Sequence, residues 1–398
     1  MAARAPTPAK RETRRMIGGS PVASRHRAAQ NIAGPAEYFE RALAVAAAAC
    51  EGPDASTRCI NLGGGRRGIV HFSDRALEKL LYPALAHQEL PKGRTEPGFK
   101  ILAWDSFHSG LPMWSPPWTT GDYLARGEIA GYNDERFRAV FQFDSGVLSL
   151  YDADRQIGLW WTQDFAQLPL YERAAPFLLL FHWWYALGRD NSFLLHAAAV
   201  GTGDRGGLLL AGRGGSGKST TALACLLDGS WLYLADDYCV IRQEAETPTV
   251  HSLYCSAKID GEALAVFRAT SPGGSLHEIG RDPDGKIGFD LYQSFPKSFR
   301  QELPLRVILL PRVPKQNNAA QPNRFTPTGA GAALRALAPS TLFQLPGAGP
   351  KNFRMIAALT DRLPCFHLEL RRDIVGVPQS LQQFMKRVSS EWDKFELV

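Results

Sequence analysis

A glycine-rich run, GRGGSGKS at residues 212–219, constrains the fold of this chain more than any other feature. The apolar segment before it, residues 207–211 (GLLLA), predicts a buried strand. After the run, residues 218–228 place apolar side chains on one face of a helix, and Gly229 is a typical helix end. A strand, a glycine loop and a helix in this order predict an α/β unit whose loop directs backbone N–H groups toward an anion.

The run also fits GxxxxGK[ST], the Walker A pattern, which binds nucleotide phosphates. The Lys218 ammonium can reach the β- and γ-phosphates, and the Ser219 hydroxyl can ligate Mg²⁺. The alternative is a glycine-rich turn without a ligand, but the flanking strand and helix favour phosphate binding. We therefore expect ATP and Mg²⁺ as cofactors. The predicted nucleotide-binding residues are Gly212, Arg213, Gly214, Gly215, Ser216, Gly217, Lys218, Ser219 and Thr220.

Two adjacent carboxylates, Asp236 and Asp237, end the apolar segment of residues 231–237 (WLYLADD). A buried strand that ends in an acidic residue is the Walker B position, where a carboxylate holds Mg²⁺ or its water. The alternative is an aspartate that only caps the next turn. Because neighbouring side chains on a strand point to opposite sides, one aspartate could face the metal and the other an incoming nucleophile. A kinase needs such a carboxylate to accept a hydroxyl proton.

A single histidine, His196, lies in the apolar segment of residues 194–200 (LLHAAAV), one predicted strand ahead of the loop. Taken alone, it fits a buried histidine that is bonded to a carbonyl. The alternative is a contact with a proton or a phosphate at the edge of the nucleotide site.

The distribution of charge argues against nucleic acid as a partner. The chain of 398 residues has 45 basic and 39 acidic side chains, a net charge of +6. Residues 1–27 contain seven of the basic residues and one acidic residue, which accounts for the whole net charge. A nucleic-acid-binding domain carries its basic charge on its own folded surface. We therefore predict a disordered basic tail over residues 1–34 and do not expect nucleic acid to bind.

Cysteine usage and hydropathy indicate the compartment. The 6 cysteines are scattered and form no CxxC pair, which fits a reducing environment. The longest apolar stretch, residues 174–187, is shorter than the ~20 residues that a membrane span needs, and it contains Pro176 and His182. The expected protein is soluble and cytoplasmic and has no membrane partner.

Apolar periodicity divides the chain into two predicted domains. Residues 35–50 predict a helix, and three short strands at 137–143, 147–151 and 157–162 predict an antiparallel meander. We expect a smaller α+β N-terminal domain over residues 35–170 and an α/β P-loop domain over residues 171–398.

Further elements are expected in the second half of the chain. Residues 172–187 predict a single buried helix, and residues 194–200 a single strand. Residues 238–242 are expected to continue the strand of 231–235, and residues 306–310 to form a strand bounded by two prolines. Four tryptophans of the N-terminal half are either ordinary packed residues or exposed residues that would favour a macromolecular substrate: Trp114, Trp118, Trp160 and Trp161.

This order of elements resembles the C-terminal kinase domain of the HPr kinase/phosphorylase family. The matching run comprises residues 196–200, 207–223 and 234–237 (LADD), which are 26 residues within a span of 42. The resemblance implies a P-loop kinase fold shared with phosphoenolpyruvate carboxykinase, and oligomers. It also implies that His196 is an active-site histidine, that Lys218 and Ser219 are the P-loop lysine and the magnesium ligand, and that Asp237 is the proton acceptor. That leaves Asp236 to the magnesium ion.

The sequence also departs from this family. Its downstream Glu-x-Arg-Gly signature is absent from residues 251–258 (HSLYCSAK). A second magnesium ligand therefore stays unassigned, as does the basic residue of the family's late catalytic loop. Lys258, Arg281 and Lys286 are candidates for the missing cationic group, with solvated surface charges as the alternative. The chain is more similar to divergent members of the family, some of which phosphorylate a serine of a ribosomally made peptide such as a lasso-peptide precursor.

Three functions follow from these features. The first is an ATP-dependent serine kinase that acts on a protein or peptide, with Asp237, His196 and Lys218 as catalytic residues and with Ser219 and Asp236 on the metal. The second is a kinase for a small molecule. The third is a P-loop ATPase that serves as a switch. The paired aspartates favour the kinases, because a switch has only to position water.

Overall fold

A computed structural model describes residues 34–91, 93, 97–188, 191–244, 246–270, 276–314, 322–347, 349–371 and 374–395. The disordered tail predicted over residues 1–34 therefore lies outside the described residues, except for residue 34. No helix within these ranges is long and apolar enough to cross a membrane. The described chain is a mixed α/β structure with two large mixed sheets and one small antiparallel sheet.

The N-terminal part forms a seven-stranded sheet. Its elements are α1 (Pro35–Ala49), β1 (Ser56–Asn61), β2 (Arg67–Phe72), α2 (Arg75–Leu81), β3 (Glu89–Leu90), β4 (Phe99–Asp105), α3 (Ser106–Ser109), β5 (Phe137–Gln142), β6 (Val147–Asp152), β7 (Ile157–Thr162), α4 (Leu170–Ala174) and α5 (Leu178–Leu187). The strand order is β3-β1-β2-β4-β7-β6-β5. Strands β5, β6 and β7 form an antiparallel meander at the predicted positions.

Helices cover both faces of this sheet. Side chains alternate along β4, so Ile101 packs toward α5 while Leu102 and Trp104 pack toward α1. Helix α1 buries Phe39 and Ala42 on its face of the sheet. A sheet that is covered on both sides needs strands that are apolar on both sides, and the segment Phe99–Asp105 has that composition.

The second large sheet carries the glycine loop. The remaining elements are β8 (Ser192–His196), β9 (Ala198–Thr202), β10 (Gly206–Leu210), α6 (Lys218–Asp228), β11 (Leu232–Ala235), β12 (Tyr238–Arg242), β13 (Thr249–Ser252), β14 (Ser256–Ile259), α7 (Gly261–Thr270), β15 (His277–Arg281), β16 (Ile287–Asp290), α8 (Leu291–Ser294), β17 (Glu302–Arg312), β18 (Arg324–Thr328), α9 (Ala330–Gln344), α10 (Gly349–Arg362), β19 (Cys365–Glu369) and α11 (Val377–Phe395). Its main path is β11-β9-β10-β17-β13-β12-β8, and β19 joins β17 to β18. Strand β10, which leads into the glycine loop, is parallel to β17. Strands β14, β16 and β15 form the small sheet.

A break in one antiparallel ladder shapes the region next to the loop. Strand β8 pairs with β12 up to His196 and Tyr238, and pairing resumes between β9 and β11 at Ala199 and Ala235. The residues between these pairs, among them Asp236 and Asp237, lie in the gap. Both segments, the one that follows His196 and the one that contains Asp236 and Asp237, therefore cross from one half of the sheet to the other at the same position.

Hydrophobic contacts connect the two halves of the chain. One buried cluster contains Val140 and Trp160 from the N-terminal sheet together with Leu194 and Tyr238 from the second sheet. Helix α5 contributes to the same cluster and contacts β8. The division into domains at residue 170 stays a prediction.

Several predictions about individual elements were wrong. The helix expected over 172–187 is broken, because Pro176 disfavours a helical conformation at the preceding residue, and Phe177 has φ 61°. The strand expected over 194–200 is two strands, β8 and β9, and β12 does not continue β11 but pairs elsewhere in the sheet. Strand β17 is longer than expected, because both prolines lie near its ends rather than outside it.

The four tryptophans of the N-terminal half are packed, as the first of the two alternatives expects. Trp118 and Trp160 are buried, and Trp114 and Trp161 are half-buried. Trp118 contacts Tyr38 edge-on at 4.6 Å between ring centroids. These side chains therefore give no support to a macromolecular docking surface.

Candidate functional site

The glycine loop connects β10 to α6 and forms a tight turn. Gly215 has φ 74° and Gly217 has φ 100°, a left-handed conformation that other residues seldom adopt. A Cβ atom at Gly217 would also collide with the Leu370 side chain. No side chain among the described residues caps the N-terminus of α6, which leaves its first N–H groups available to an anion.

Lys218 is buried at the start of α6 and points back over the loop. Its ammonium donates hydrogen bonds to the carbonyl oxygens of Gly212 at 2.7 Å and Arg213 at 3.3 Å. Burial lowers the pKa of Lys218, although Asp236 and Asp237 act in the opposite direction. The two carboxylates therefore favour the charged form of a lysine that the motif needs as a cation.

Asp236 lies deep in the gap between β11 and β12. Its Oδ2 accepts a hydrogen bond from the backbone N–H of Lys258 at 3.3 Å, and the Ser219 side chain also bonds to the carboxylate. Burial raises the pKa of Asp236 to about 6, and the neighbouring Asp237 adds to the rise. Among the described residues, its buried Oδ1 has no hydrogen-bond partner. A buried carboxylate oxygen without a partner, beside a hydroxyl, fits the all-oxygen ligand set of Mg²⁺.

Asp237 is held from two sides. Its Oδ1 lies 2.9 Å from His196 Nε2, and its Oδ2 lies 2.9 Å from Lys258 Nζ. Burial alone would raise the pKa of Asp237, but Lys258 and His196 outweigh it and hold the pKa well below its usual range. The pKa of Lys258 is correspondingly raised, because attraction to Asp237 exceeds the effect of burial. This carboxylate is ionised and fixed in orientation.

One pocket with a cavity volume of about 490 Å³ joins most of the predicted site residues. They come from the loop and from the gap in the ladder: Gly214, Gly215, Ser216, Gly217, Lys218, Ser219, Thr220, His196, Asp236 and Asp237. Gly212 and Arg213 are outside the lining and contribute their carbonyl groups to Lys218. Asp236 and Asp237 lie between β11 and β12 rather than on a strand, so strand alternation does not set their directions, and both line the pocket.

The three candidate cations have different positions. Lys258 bonds to Asp237, and Lys286 lines the same pocket. Arg281 pairs with Glu278 at 2.9 Å on the exposed strand β15 and is not part of the pocket lining. The structure therefore separates two site cations from a surface charge.

Sequence reasoning missed the wall of the pocket that the N-terminal sheet and its following helices provide. Gln142, Trp160 and Glu172 belong to this wall. Tyr238 of β12 and Gln344 of α9 line another part of the pocket. The Tyr238 hydroxyl donates a hydrogen bond to Gln344 Oε1 at 2.5 Å. The sequence held no local signal for this wall, because its residues reach the pocket only through packing between the two large sheets.

Comparison with known proteins gives little support beyond the geometry. No protein-family model matches the chain, and no curated protein matches it. A solved structure of the Hpr(Ser) kinase/phosphatase from Coxiella burnetii is similar over 51% of this chain and 97% of that chain. The two share 13% sequence identity with a TM-score of 0.30. A similarity this weak carries no argument about function.

Proposed function

We propose that the chain is an ATP-dependent kinase of the P-loop type, which transfers the γ-phosphate of Mg·ATP to a serine of a protein or peptide. One observation carries this proposal. The Asp237 carboxylate, fixed between His196 and Lys258, lines the same pocket as the Walker A loop. A switch ATPase has only to position water, whereas a fixed carboxylate beside the loop suits an acceptor hydroxyl.

In this proposal the loop and the first turn of α6 bind the phosphates. The backbone N–H groups and Lys218 contact the β- and γ-phosphates, and Ser219 and Asp236 hold Mg²⁺. The bound ion neutralises charge on the transferring phosphate. Lys218 exchanges its bonds to the Gly212 and Arg213 carbonyls for bonds to phosphate oxygens.

Asp237 acts on the acceptor hydroxyl. The hydroxyl oxygen forms a bond to the γ-phosphorus, the bond from that phosphorus to the bridging oxygen breaks, and ADP leaves. The hydroxyl proton goes to Asp237. A carboxylate with a lowered pKa is a weak base, but phosphoryl transfer passes through a loose transition state, so the proton leaves only when the new bond has made it acidic. His196 and Lys258 keep the carboxylate oriented for that step.

A small-molecule kinase is the second candidate. The observation that favours it is the pocket itself, which is about 490 Å³ and has a wall of side chains beyond Asp237. A cavity of this size suits a small ligand or a single inserted side chain better than an extended peptide.

The test follows the label from γ-labelled Mg·ATP. We would incubate the full chain with a degenerate peptide library that contains one fixed serine, and with a mixture of small hydroxyl compounds. Label in the peptides supports the proposal, and label only in small molecules replaces it with the second candidate. Label only in free phosphate, at a rate that Lys218→Ala abolishes, contradicts both kinase assignments and favours an ATPase.

A further inference from the structure

The pocket has a second wall that the proposed phosphate transfer does not use. We define the Glu172 wall as Gln142, Trp160, Tyr171, Glu172 and Phe177, all of which line the same pocket as the loop. These residues come from β5, β7, α4 and the start of α5. The N-terminal sheet thus contributes directly to the pocket that contains Asp237.

Glu172 is a buried carboxylate without a counter-ion. The residue is 4% exposed, and its Oε1 accepts a hydrogen bond from Gln142 Nε2 at 3.0 Å. Among the residues that the structure describes, the side chains that act on this carboxylate are Ser145, Gln142 and Trp160, all of them uncharged. Burial raises the pKa of Glu172 to about 7. An unpaired buried charge is costly, and a cation that enters the pocket would remove that cost.

Aromatic rings line the same pocket as this carboxylate. The Trp160 and Phe177 rings meet edge-on, with centroids 5.8 Å apart and an interplanar angle of 84°. The Tyr171 ring is partly exposed and lines the pocket from α4. Aromatic rings and a carboxylate together are the groups that recognise alkylammonium ions in proteins.

The backbone at Phe177 shows that this wall is firmly held. Phe177 has φ 61°, which is unfavourable for a bulky residue and persists only where the surrounding structure fixes it. Its ring is buried against Phe72 and Phe181. The wall is therefore a preformed part of the pocket.

We infer that the Glu172 wall binds the ammonium group of a ligand, and that this ligand is the phosphate acceptor. The acceptor would be an amine that also carries a hydroxyl group, with the hydroxyl at Asp237. Two sources share this chemistry: a serine peptide with a free amino group, and a small amino alcohol. The assignment of the ligand as acceptor rests on the proposed kinase function, whereas the ammonium site does not.

Direct binding of small probes tests the ammonium site without any transfer reaction. The probe is 3-aminopropanol, and 1-butanol is its neutral analogue of the same length. Binding to the full chain with Mg²⁺ and a non-hydrolysable ATP analogue is measured by ligand-observed NMR at a pH above 7. In Glu172→Gln the Kd for 3-aminopropanol should rise at least ~10-fold, as expected for loss of a desolvated ion pair. The matched control, Glu135→Gln, changes an exposed glutamate and should leave the Kd unchanged.

A second variant keeps the test valid if Glu172→Gln does not fold. Tyr171→Leu removes one aromatic face on the exposed side of the wall and should raise the Kd about 3-fold, the expected weight of one partly exposed cation–π contact. The inference is overturned if 3-aminopropanol does not bind, if 1-butanol binds as tightly, or if neither variant weakens binding.

A transfer assay separates this inference from the proposed function. The acceptors are 3-aminopropanol, the tripeptide Ser-Ala-Ala with a free amino terminus, and its N-acetylated form. Label in the free tripeptide or in 3-aminopropanol supports the inference and identifies the source of the amine. Equal labelling of the acetylated tripeptide would overturn it while leaving the kinase assignment intact. Binding through Glu172 without any labelled acceptor keeps the ammonium site and removes its role as the acceptor site.

Discussion

Two carboxylates, the partly buried Asp237 and the buried Glu172, line one pocket in opposite electrostatic surroundings. Asp237 lies 2.9 Å from both Lys258 and His196, and these neighbours hold its pKa well below its usual range. Glu172 has a neutral amide neighbour, Gln142, and burial raises its pKa to about 7. The fold therefore provides charge compensation at one carboxylate and withholds it at the other.

This difference distinguishes two kinds of acidic residue. A carboxylate with basic neighbours inside the protein is held in an ionised form and in one orientation. A buried carboxylate without such neighbours is either protonated or is neutralised by a cation that binds from outside the chain. The same substitution, carboxylate to amide, should therefore have different consequences at Asp237 and Glu172.

The largest effect is expected for phosphate transfer in Asp237→Asn. The amide keeps the size of the side chain but cannot accept the hydroxyl proton, so transfer should fall by ~10²–10⁴. Binding of Mg·ATP should be retained, because the loop and Lys218 are unchanged. Single-turnover transfer and nucleotide affinity are measured on the same preparation. A variant that transfers phosphate at the normal rate would remove Asp237 from the reaction.

Lys218→Ala should reduce transfer at least ~100-fold, because the cation over the β- and γ-phosphates stabilises charge in the transition state. The loss should appear in nucleotide affinity as well as in rate, unlike that of Asp237→Asn. Lys297→Ala changes a lysine outside the pocket lining and serves as the control. Unchanged turnover in Lys218→Ala would contradict the assignment of the nucleotide site.

The free energy of unfolding should depend on pH in different ways for the two amide variants. A raised pKa means that the fold favours protonated Glu172, so its stabilising effect is complete below the unfolded pKa and is lost as the pH rises through the folded value. From an ordinary 4.5 to about 7, the loss amounts to about 3 kcal/mol. As the pH rises from 4.5 to 8, the unfolding free energy of Glu172→Gln should therefore increase by about 3 kcal/mol relative to that of wild type.

Asp237→Asn should behave differently in the same denaturant titrations. The lowered pKa keeps Asp237 ionised in both states above about pH 5, so the difference from wild type should not change between pH 5 and pH 8. The variant should be less stable by about 2 kcal/mol, less than for a fully buried pair because 28% of the Asp237 side chain is exposed. Parallel pH profiles for the two variants would contradict the comparison.

Local sequence was sufficient to predict the loop. The glycines, Lys218 and the following helix form one continuous segment with a recognisable local pattern, and β10 and α6 lie where the sequence places them. The meander was predictable for the same reason, because tight turns connect its strands. Both features depend on short-range rules.

The remaining parts of the site depend on contacts between distant segments. The segment of residues 194–200 has the pattern of one strand, and only its pairing with β11 and β12 shows the break beside His196. Lys258 was a candidate among several cations, and the fold of β14 selects it. Glu172 and Trp160 reach the pocket because the N-terminal sheet packs against the second sheet, which no local pattern predicts.

The smallest effect is expected at Asp236, the residue next to Asp237. Asp236→Asn removes a charged oxygen from the predicted magnesium site, so the Mg²⁺ concentration needed for half-maximal transfer should rise about 10-fold. Saturating Mg²⁺ should restore most of the rate, because Asp237, His196 and Lys258 keep their contacts. A magnesium titration of transfer for both aspartate variants makes the measurement. If added Mg²⁺ rescues Asp237→Asn and not Asp236→Asn, the two roles are exchanged, and Lys258 and His196 then hold a metal ligand rather than a proton acceptor.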